Sequence, residues 1–339
     1  MSLPDNSAQN SDGRKILLGV DGGGTKTAFL LARSDGHVIG YHRGRGSHHP
    51  DIGIGGVEDV LSDGITAVLG GAGLSSDRLD GVFFGIPAFG EHPQMDKKIV
   101  DLAQQLLGHD RFIIENDMLC GWAGSLAAQD GINIVAGTGS IGYGERKGRK
   151  FRCGGWGTLV GDEGSAYWIA KEGLSLFTKM SDGRAARGPL YDIFRSHFDL
   201  EDDLSLCAYL ETTALDRAAL ASLAPFVSQA ARGGDMAAKQ VMTIAAKELA
   251  LICRALATQL DYVPEEPVRV SYSGGVFGPK SSVASLFKSA LDTEPFNFVL
   301  QEPLADPTTG AVLLAARCAG VAPTLDLCQK LADGACLAA

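Results

Sequence analysis

The chain has 339 residues, of which 45% are hydrophobic and 21% charged, a composition typical of a soluble globular protein with room for two domains. Its net charge of −10 disfavours a nucleic-acid partner or an acidic membrane surface. No apolar run reaches the roughly 18 residues that a membrane helix needs, so we expect a cytoplasmic protein without a membrane partner. Seven cysteines without a C-x-x-C pair indicate reduced thiols rather than a zinc or iron–sulfur site within one chain.

The first third of the chain has the pattern of three strands followed by alternating helices and strands. Residues 1–13 are polar and lack periodicity, and we expect a disordered leader there. The spacing of apolar residues predicts, in chain order, strands at 15–21, 28–32 and 37–42, a helix at 53–69, a strand at 81–86, a helix at 94–107 and a strand at 111–116.

A similar pattern begins again near residue 131. Two copies of the series strand, glycine turn, strand, hairpin, strand lie about 115 residues apart, which predicts two related domains, although periodicity alone leaves coincidence open. The predicted elements are strands at 132–136, 141–145 and 150–153, a helix at 163–179, short helices within 190–232, a helix at 235–260, a strand at 268–272, a helix from 281, a strand at 296–300, a helix at 309–319 and a final helix after 321. The resulting domain prediction is an N-terminal domain at 14–118, a C-terminal domain with a helical insertion at 119–305, and C-terminal helices at 306–339 that pack back on the N-terminal domain.

Three glycine turns each follow an apolar strand; they are the first turn at 22–27, the second at 137–140 and the third at 273–277. Backbone N–H groups without side chains suit the phosphates of a nucleotide triphosphate. Neither G-x-x-x-x-G-K-[ST] nor a G-x-G-x-x-G that opens a helix is present, so the first turn is predicted to be a phosphate-binding hairpin. We expect Asp21 to hold Mg²⁺, directly or through water. The phosphate contacts expected in this turn are Gly23, Gly24, Thr25 and Lys26. The alternative is a solvated Asp-Gly turn.

Residues 154–168 (GGWGTLVGDEGSAYW) place five glycines around two carboxylates and an indole, just before a helix-forming run. Neighbouring acids accept hydrogen bonds from hydroxyls, and a helix from about Ser165 puts a partial positive charge at the end of this segment. We therefore expect a ligand-binding loop. The alternative is a tight connection between a strand and a helix.

Taken together, these motifs resemble the N-acetylglucosamine kinase branch of the BadF-type ATPase family, within the sugar kinase, Hsp70 and actin superfamily. The resemblance rests on DGGGTKT at 21–27, END at 115–117, GTGS at 137–140, residues 154–168, SGG at 273–275 and GA at 310–311. It implies an α/β fold of two RNase-H-like domains, similar to actin and hexokinase, with an ATP and sugar cleft between them. It also implies a homodimer and transfer of the γ-phosphate of ATP to an amino sugar, with N-acetylglucosamine converted to N-acetylglucosamine 6-phosphate as the first expectation.

The resemblance assigns individual roles by matching positions. Asp117 matches the catalytic aspartate, which takes the proton of the attacking sugar hydroxyl; a helix N-cap is the alternative reading of this residue. The ATP contacts implied are Thr138, Gly139, Gly234, Gly274 and Gly275. The sugar contacts implied are His48, Asn116, Asp117, Ser140, Gly155, Trp156, Gly157 and Asp162. Core packing is the alternative for Trp156.

One position departs from the family pattern. N-acetylglucosamine kinases have an asparagine where this chain has His48, and a histidine differs in size, tautomer and charge near neutral pH. Glucosamine or another hexosamine is therefore an alternative substrate. A solvated pair is the alternative for His48 and His49, while a two-histidine metal site lacks an evident third ligand.

Two other classes of function are alternatives to a sugar kinase. The first is an ATPase that activates a partner enzyme and shares an iron–sulfur cluster between subunits, for which Cys120 and Cys153 are the only cysteines near the motifs. The second is a sugar-sensing regulator, which is disfavoured by the negative charge and by the lack of a helix-turn-helix segment.

Overall fold

The computed structural model describes residues 13–213, 216–279 and 281–338. The leader predicted at 1–13 lies outside the described residues, except for residue 13. The chain divides into a first unit, Met1–Gln129 with Leu304–Ala339, and a second unit, Asp130–Pro303. The first unit therefore extends eleven residues beyond the boundary expected at residue 118.

The first unit is built on a mixed sheet of five strands with apolar helices against it. Its elements up to residue 129 are β1 (Ile16–Gly22), β2 (Lys26–Arg33), β3 (Val38–Arg45), α1 (His49–Ala72), β4 (Gly81–Gly85), α2 (Pro93–Leu107), β5 (Phe112–Glu115) and α3 (Met118–Leu126). The strand order is β3-β2-β1-β4-β5, with β1 antiparallel to β2 and parallel to β4, and β4 parallel to β5. Because β1, β4 and β5 run in the same direction, the residues that follow them meet at one edge of the sheet.

The second unit repeats this sheet. Its elements are β6 (Gly131–Ala136), β7 (Ser140–Arg146), β8 (Arg149–Gly154), α4 (Ala166–Ser181), α5 (Pro189–Phe198), α6 (Ser205–Thr213), α7 (Arg217–Ala221), α8 (Ala224–Arg232), α9 (Met236–Gln259), β9 (Pro267–Ser273), α10 (Val283–Leu291) and β10 (Asn297–Leu300). The order β8-β7-β6-β9-β10 has the same sequence of antiparallel and parallel pairings as the first sheet. The internal repeat predicted from the two glycine hairpins and the α/β fold class implied by the resemblance are thus confirmed.

The last two helices are α11 (Pro307–Cys318) and α12 (Leu325–Ala338), and both belong to the first unit. Helix α11 packs on β1, β4 and α3. The approach is close: a β-carbon at Gly19 would overlap the backbone of Val312, and one at Gly310 would overlap the carbonyl of Cys120. This packing explains why α3 belongs to the first unit rather than to the second.

The helices α5 to α8 form an insertion between α4 and α9, and their aromatic side chains add to the core of the second unit. Phe177 of α4 stacks on Tyr191 of α5 at 5.5 Å between ring centroids and meets Phe194 edge to face at 6.1 Å. Throughout the described ranges, no helix combines the length and the apolar character needed to cross a bilayer.

Candidate active site

The first glycine turn joins β1 to β2, with Gly22 paired to Thr27 in the antiparallel register. The loop that follows β3 lies against it, because Ser47 donates its backbone N–H to the carbonyl of Gly23 at 3.0 Å. A β-carbon built at Gly24 meets nothing within 4 Å, so its outer side is open. The turn therefore presents exposed backbone next to the loop that carries His48, an arrangement suited to phosphate oxygens.

Asp21 is the residue at which β1 enters the first glycine turn. It pairs in register with Gly85 of β4, where a β-carbon would overlap the Cys120 sulfur and lie 3.2 Å from the Asp117 α-carbon. Burial raises the pKa of Asp21 from its ordinary 3.8 to about 8, with the carboxylates of Asp117 and Asp306 adding to the rise. The Lys26 ammonium and the Cys120 thiol act in the opposite direction. A recessed carboxylate beside two other acids is chemically suited to a divalent cation, which would offset their repulsion.

Asp117 comes directly before α3 at the same edge of the sheet. It occupies the N-cap position of α3, as the alternative reading expected, but its side chain makes no capping hydrogen bond to the helix. Burial is the largest influence on this group and raises its pKa to about 6, while nearby backbone N–H groups and His48 lower it and Glu91 raises it. A carboxylate that titrates near neutrality and is not paired with a basic side chain by a hydrogen bond can act as a general base.

Asn116 is buried, and both ends of its amide are used inside the protein. Its Oδ1 accepts the N–H of Met118 at 3.2 Å, and its Nδ2 donates to the carbonyl of Phe89 at 3.3 Å. The structure therefore places Asn116 beside Asp117 as a support for the start of α3. Its predicted sugar contact would need one of these bonds to open.

His48 lies in the loop between β3 and α1 and is 24% exposed at the side chain. Its Nδ1 is 2.7 Å from Asp51 Oδ2, so the carboxylate holds the ring and leaves Nε2 for another contact. His49 is buried instead, with Nε2 3.3 Å from the carbonyl of Ala88, and its ring meets His92 edge to face. Within the described ranges no three histidines, cysteines or acids are placed to share a metal ion.

The second glycine turn joins β6 to β7 and is hydrogen-bonded to the residues that follow Ser165. Ala166 and Tyr167, at the start of α4, donate their N–H groups to the carbonyls of Gly137 and Thr138 at 2.9 and 3.3 Å. Ser140 donates its hydroxyl to the carbonyl of Glu163 at 2.6 Å and is almost fully buried. The turn and the glycine–tryptophan loop, residues 154–168, thus form one hydrogen-bonded structure.

Trp156 is 78% exposed, so the core-packing reading of this residue is wrong. Gly155 and Gly157 flank it with φ of 70° and 83°, conformations that favour glycine, and they turn the indole outward. Leu159 and Val160 in the same loop are also exposed. An exposed indole can stack on the apolar face of a sugar ring.

Asp162 was expected to contact the sugar, but its carboxylate is bound by other groups of the protein. Its carboxylate is only 3% exposed and accepts the Ser140 N–H at 3.2 Å through Oδ1. Its Oδ2 accepts from Arg217 Nη2 at 2.6 Å. Both oxygens are therefore engaged by the protein, and Arg217 is a site residue that the sequence reasoning did not find.

The third glycine turn packs directly on the second. Gly274 has a φ of 98°, and a β-carbon there would overlap the carbonyl of Ala136 and lie 3.0 Å from the N of Gly137. Gly275 starts a short 3-10 turn, Gly275–Phe277. Gly234 lies elsewhere, just before the Asp235 cap of α9, and a β-carbon built there meets nothing within 4 Å. The structure thus brings together the second turn, the third turn and the glycine–tryptophan loop, while the ATP contact predicted for Gly234 stays a prediction.

Comparison with known proteins decides the family. The profile of the BadF/BadG/BcrA/BcrD ATPase family matches residues 18–315. The chain belongs to this family. This confirms the resemblance inferred from the glycine turns and the END segment.

Characterised relatives of this family member are sugar kinases. The chain is 29% identical, over 89% of its length and 98% of the relative, to an N-acetylmuramic acid/N-acetylglucosamine kinase from Clostridium acetobutylicum. It is 28% identical, with the same coverage, to an N-acetyl-D-glucosamine kinase from Dictyostelium discoideum. Among solved structures, a Chromobacterium violaceum protein provisionally assigned as an N-acetylglucosamine kinase matches with a TM-score of 0.70 and 28% identity, over 89% of this chain and 99% of that one. The fold of this family member is thus the actin- and hexokinase-like fold of these kinases.

Proposed function

We propose that the chain is an ATP-dependent kinase that transfers the γ-phosphoryl group of ATP to a hydroxyl of an amino sugar. N-acetylglucosamine is the first candidate substrate, and its 6-hydroxyl is the first candidate acceptor. The substrate is supported by the names of the relatives, which also include N-acetylmuramic acid in the substrate class, whereas the 6-hydroxyl is an expectation from the resemblance alone. Glucosamine stays an alternative because His48 stands where an asparagine was expected.

The observation that carries the proposal is the Asp117 carboxylate. It follows β5, makes no capping bond, and has a pKa raised by burial to about 6. Such a group accepts the proton of a sugar hydroxyl as that oxygen meets the phosphoryl group, a role worth roughly 10²- to 10⁴-fold in rate. His48 lowers the pKa of Asp117, which keeps the carboxylate ionised and able to accept a proton above about pH 6.

ATP and Mg²⁺ fit the residues present. The exposed first turn offers backbone N–H groups and Lys26, and the recessed Asp21 carboxylate offers an oxygen ligand. Mg²⁺, when bound, would supply neutralisation of phosphate charge. The chain's own part is to hold the phosphates on backbone donors and to keep the Asp117 carboxylate free for the sugar hydroxyl.

The partner-activating ATPase has less support. A cluster shared between two subunits needs cysteines that a second copy can reach, but Cys120 is completely buried and its thiol lies against the carbonyl of Val20 at 3.9 Å. The homodimer expected from the resemblance stays a prediction.

The test is sugar-stimulated release of ADP from Mg·ATP with N-acetylglucosamine, N-acetylmuramic acid, glucosamine, glucose and N-acetylmannosamine, with phosphorus NMR of the product to locate the phosphate. Asp117→Asn should lower kcat by at least about 100-fold and leave the Kd for ATP within about threefold, because it keeps the shape and removes the base. Asp101→Asn, an exposed acid on α2, is the matched control. Wild-type kcat/KM should fall as the pH drops below about 6.

No sugar-stimulated ADP release with any of these sugars would refute the proposed kinase. Loss of ATP binding in Asp117→Asn would instead place this carboxylate among the nucleotide contacts.

A further inference from the structure

Arg217 and Asp162 form an ion pair in the second unit that no sequence motif predicts. Arg217 is the first residue of α7, in the helical insertion, and its Nη2 lies 2.6 Å from Asp162 Oδ2. The two partners differ in accessibility, since the Asp162 carboxylate is 3% exposed and the Arg217 side chain is 43% exposed. The guanidinium thus has one nitrogen bound to a buried acid, on a side chain that is partly open to solvent.

The guanidinium lies on the second glycine turn. A β-carbon at Gly139 would overlap Arg217 Nη2 and would lie 2.8 Å from Asp162 Oδ1. Only a glycine at position 139 lets the arginine reach this place without displacement. At Gly137, by contrast, a β-carbon would meet nothing within 4 Å, so the turn has free space beside it.

Asp162 fixes both the turn and the arginine. Its Oδ1 accepts the N–H of Ser140, and its Oδ2 accepts from Arg217. A guanidinium has five N–H donors, and among the described residues only Nη2 of Arg217 has a hydrogen-bond partner. The remaining donors form the planar fork that matches the oxygens of a phosphate group.

We propose that Arg217 binds the phosphate groups of the nucleotide at the second glycine turn, and that Asp162 is the positioning residue that holds the guanidinium there. The inference rests on the proposed kinase function and adds a contact to it. A guanidinium fixed beforehand stabilises negative charge on the transferred phosphoryl group without reorganisation during the reaction. The turn would then bind phosphate with a cationic side chain as well as with its backbone.

The test compares Arg217→Ala, Arg217→Lys and the control Arg184→Ala, which removes an arginine paired with Asp182 on an exposed surface of the same unit. Arg217→Ala should lower kcat/KM for ATP by about 100-fold and leave the KM for N-acetylglucosamine within about threefold. Arg217→Lys should be intermediate because it keeps the charge and loses the fork. Arg184→Ala should match wild type. Millimolar guanidinium chloride should raise the rate of Arg217→Ala and not that of wild type.

Other outcomes would overturn the inference. A purely structural ion pair would give Arg217→Ala a lower melting temperature with an unchanged kcat/KM for ATP and no rescue by guanidinium. A change confined to the KM of the sugar, above all of the carboxylate-bearing N-acetylmuramic acid, would assign the arginine to the sugar instead.

The proposed function and this inference can fail separately. If wild type releases no ADP with any sugar, titration calorimetry with ATP still decides the inference. A Kd about tenfold weaker in Arg217→Ala than in Arg184→Ala would support the phosphate contact, and equal values would refute it.

Discussion

Asp21→Asn should stabilise the protein, and more so at alkaline than at acidic pH. In the folded chain burial and the carboxylates of Asp117 and Asp306 raise the pKa of Asp21 from 3.8 to about 8. The folded state therefore keeps a proton that the unfolded state loses between these two values. Folding stability falls as pH rises through this interval, because the native carboxyl must either hold its proton or ionise in an unfavourable place. Asparagine keeps the shape and removes the titration.

The magnitude follows from the width of the interval. Each pH unit between the two pKa values is worth about 1.4 kcal/mol, so the step from pH 5.5 to pH 8.0 has an upper limit of about 3 kcal/mol. The carboxyl keeps some access to solvent and its neighbours can relax, which reduces the expected difference to about 1–2 kcal/mol. For a unit of this size that corresponds to a melting temperature about 3–6 °C higher, relative to wild type, at pH 8.0 than at pH 5.5.

The assay is thermal unfolding of wild type, Asp21→Asn and the control Asp59→Asn at both pH values, with EDTA present so that no divalent cation binds the acids. Asp59 is an exposed acid of α1 paired with Arg45, and its replacement should change the melting temperature by a similar small amount at both values. An Asp21→Asn effect that is the same at pH 5.5 and pH 8.0 would refute the reasoning. The stabilised variant should also lose Mg-dependent turnover, since it lacks the proposed metal ligand.

Two further predictions concern the first unit. Asp51→Asn should raise the KM for the sugar several-fold, because the exposed Asp51 carboxylate orients His48. The KM for ATP and the melting temperature should stay nearly unchanged, since the pair contributes about 0–1 kcal/mol to folding. Steady-state kinetics that show no change in the KM for the sugar would contradict a role for this pair. Gly64→Ala should destabilise the protein by about 1–3 kcal/mol, since its methyl group would overlap the Phe29 ring. Gly70→Ala in the same helix meets open space and should stabilise the protein by about 0.5–1 kcal/mol. Denaturant unfolding of both variants checks these opposite signs.

The sequence predicted most of the sheet elements because their apolar strands are separated by glycine turns and hairpins. It did not predict α3, since all nine residues of that helix are buried and no polar face marks a helical period. The start of α1 at His49 was also missed, because the glycine at 53, with a φ of 67°, interrupts the pattern. The pairing of α3 with α11 joins segments far apart in the chain, so the domain boundary could not be inferred from local composition.

The site was predictable where glycine and hydroxyl residues are local in sequence. The three glycine turns and Asp117 were recognised in this way. Arg217 was not, because it is a single arginine in an alanine- and leucine-rich stretch and its partner Asp162 lies 55 positions earlier. Asp51 was missed for a similar reason, since an acid in the first turn of a helix is commonly explained by the helix dipole alone.

Three acids near the glycine turns illustrate why a sequence motif cannot by itself assign roles to carboxylates. Asp162 is buried and neutralised by Arg217, so its oxygens are committed and its task is to hold other groups. Asp117 is recessed and makes no side-chain cap to α3, and its pKa of about 6 leaves it able to take a proton near neutral pH. Asp21 has the most strongly shifted pKa of the three, raised by burial and by the charges of Asp117 and Asp306, and a bound cation would offset the repulsion between these carboxylates. These different partners support the three proposed roles of positioning residue, proton acceptor and metal ligand, and the Asp21, Asp117 and Arg217 variants test them.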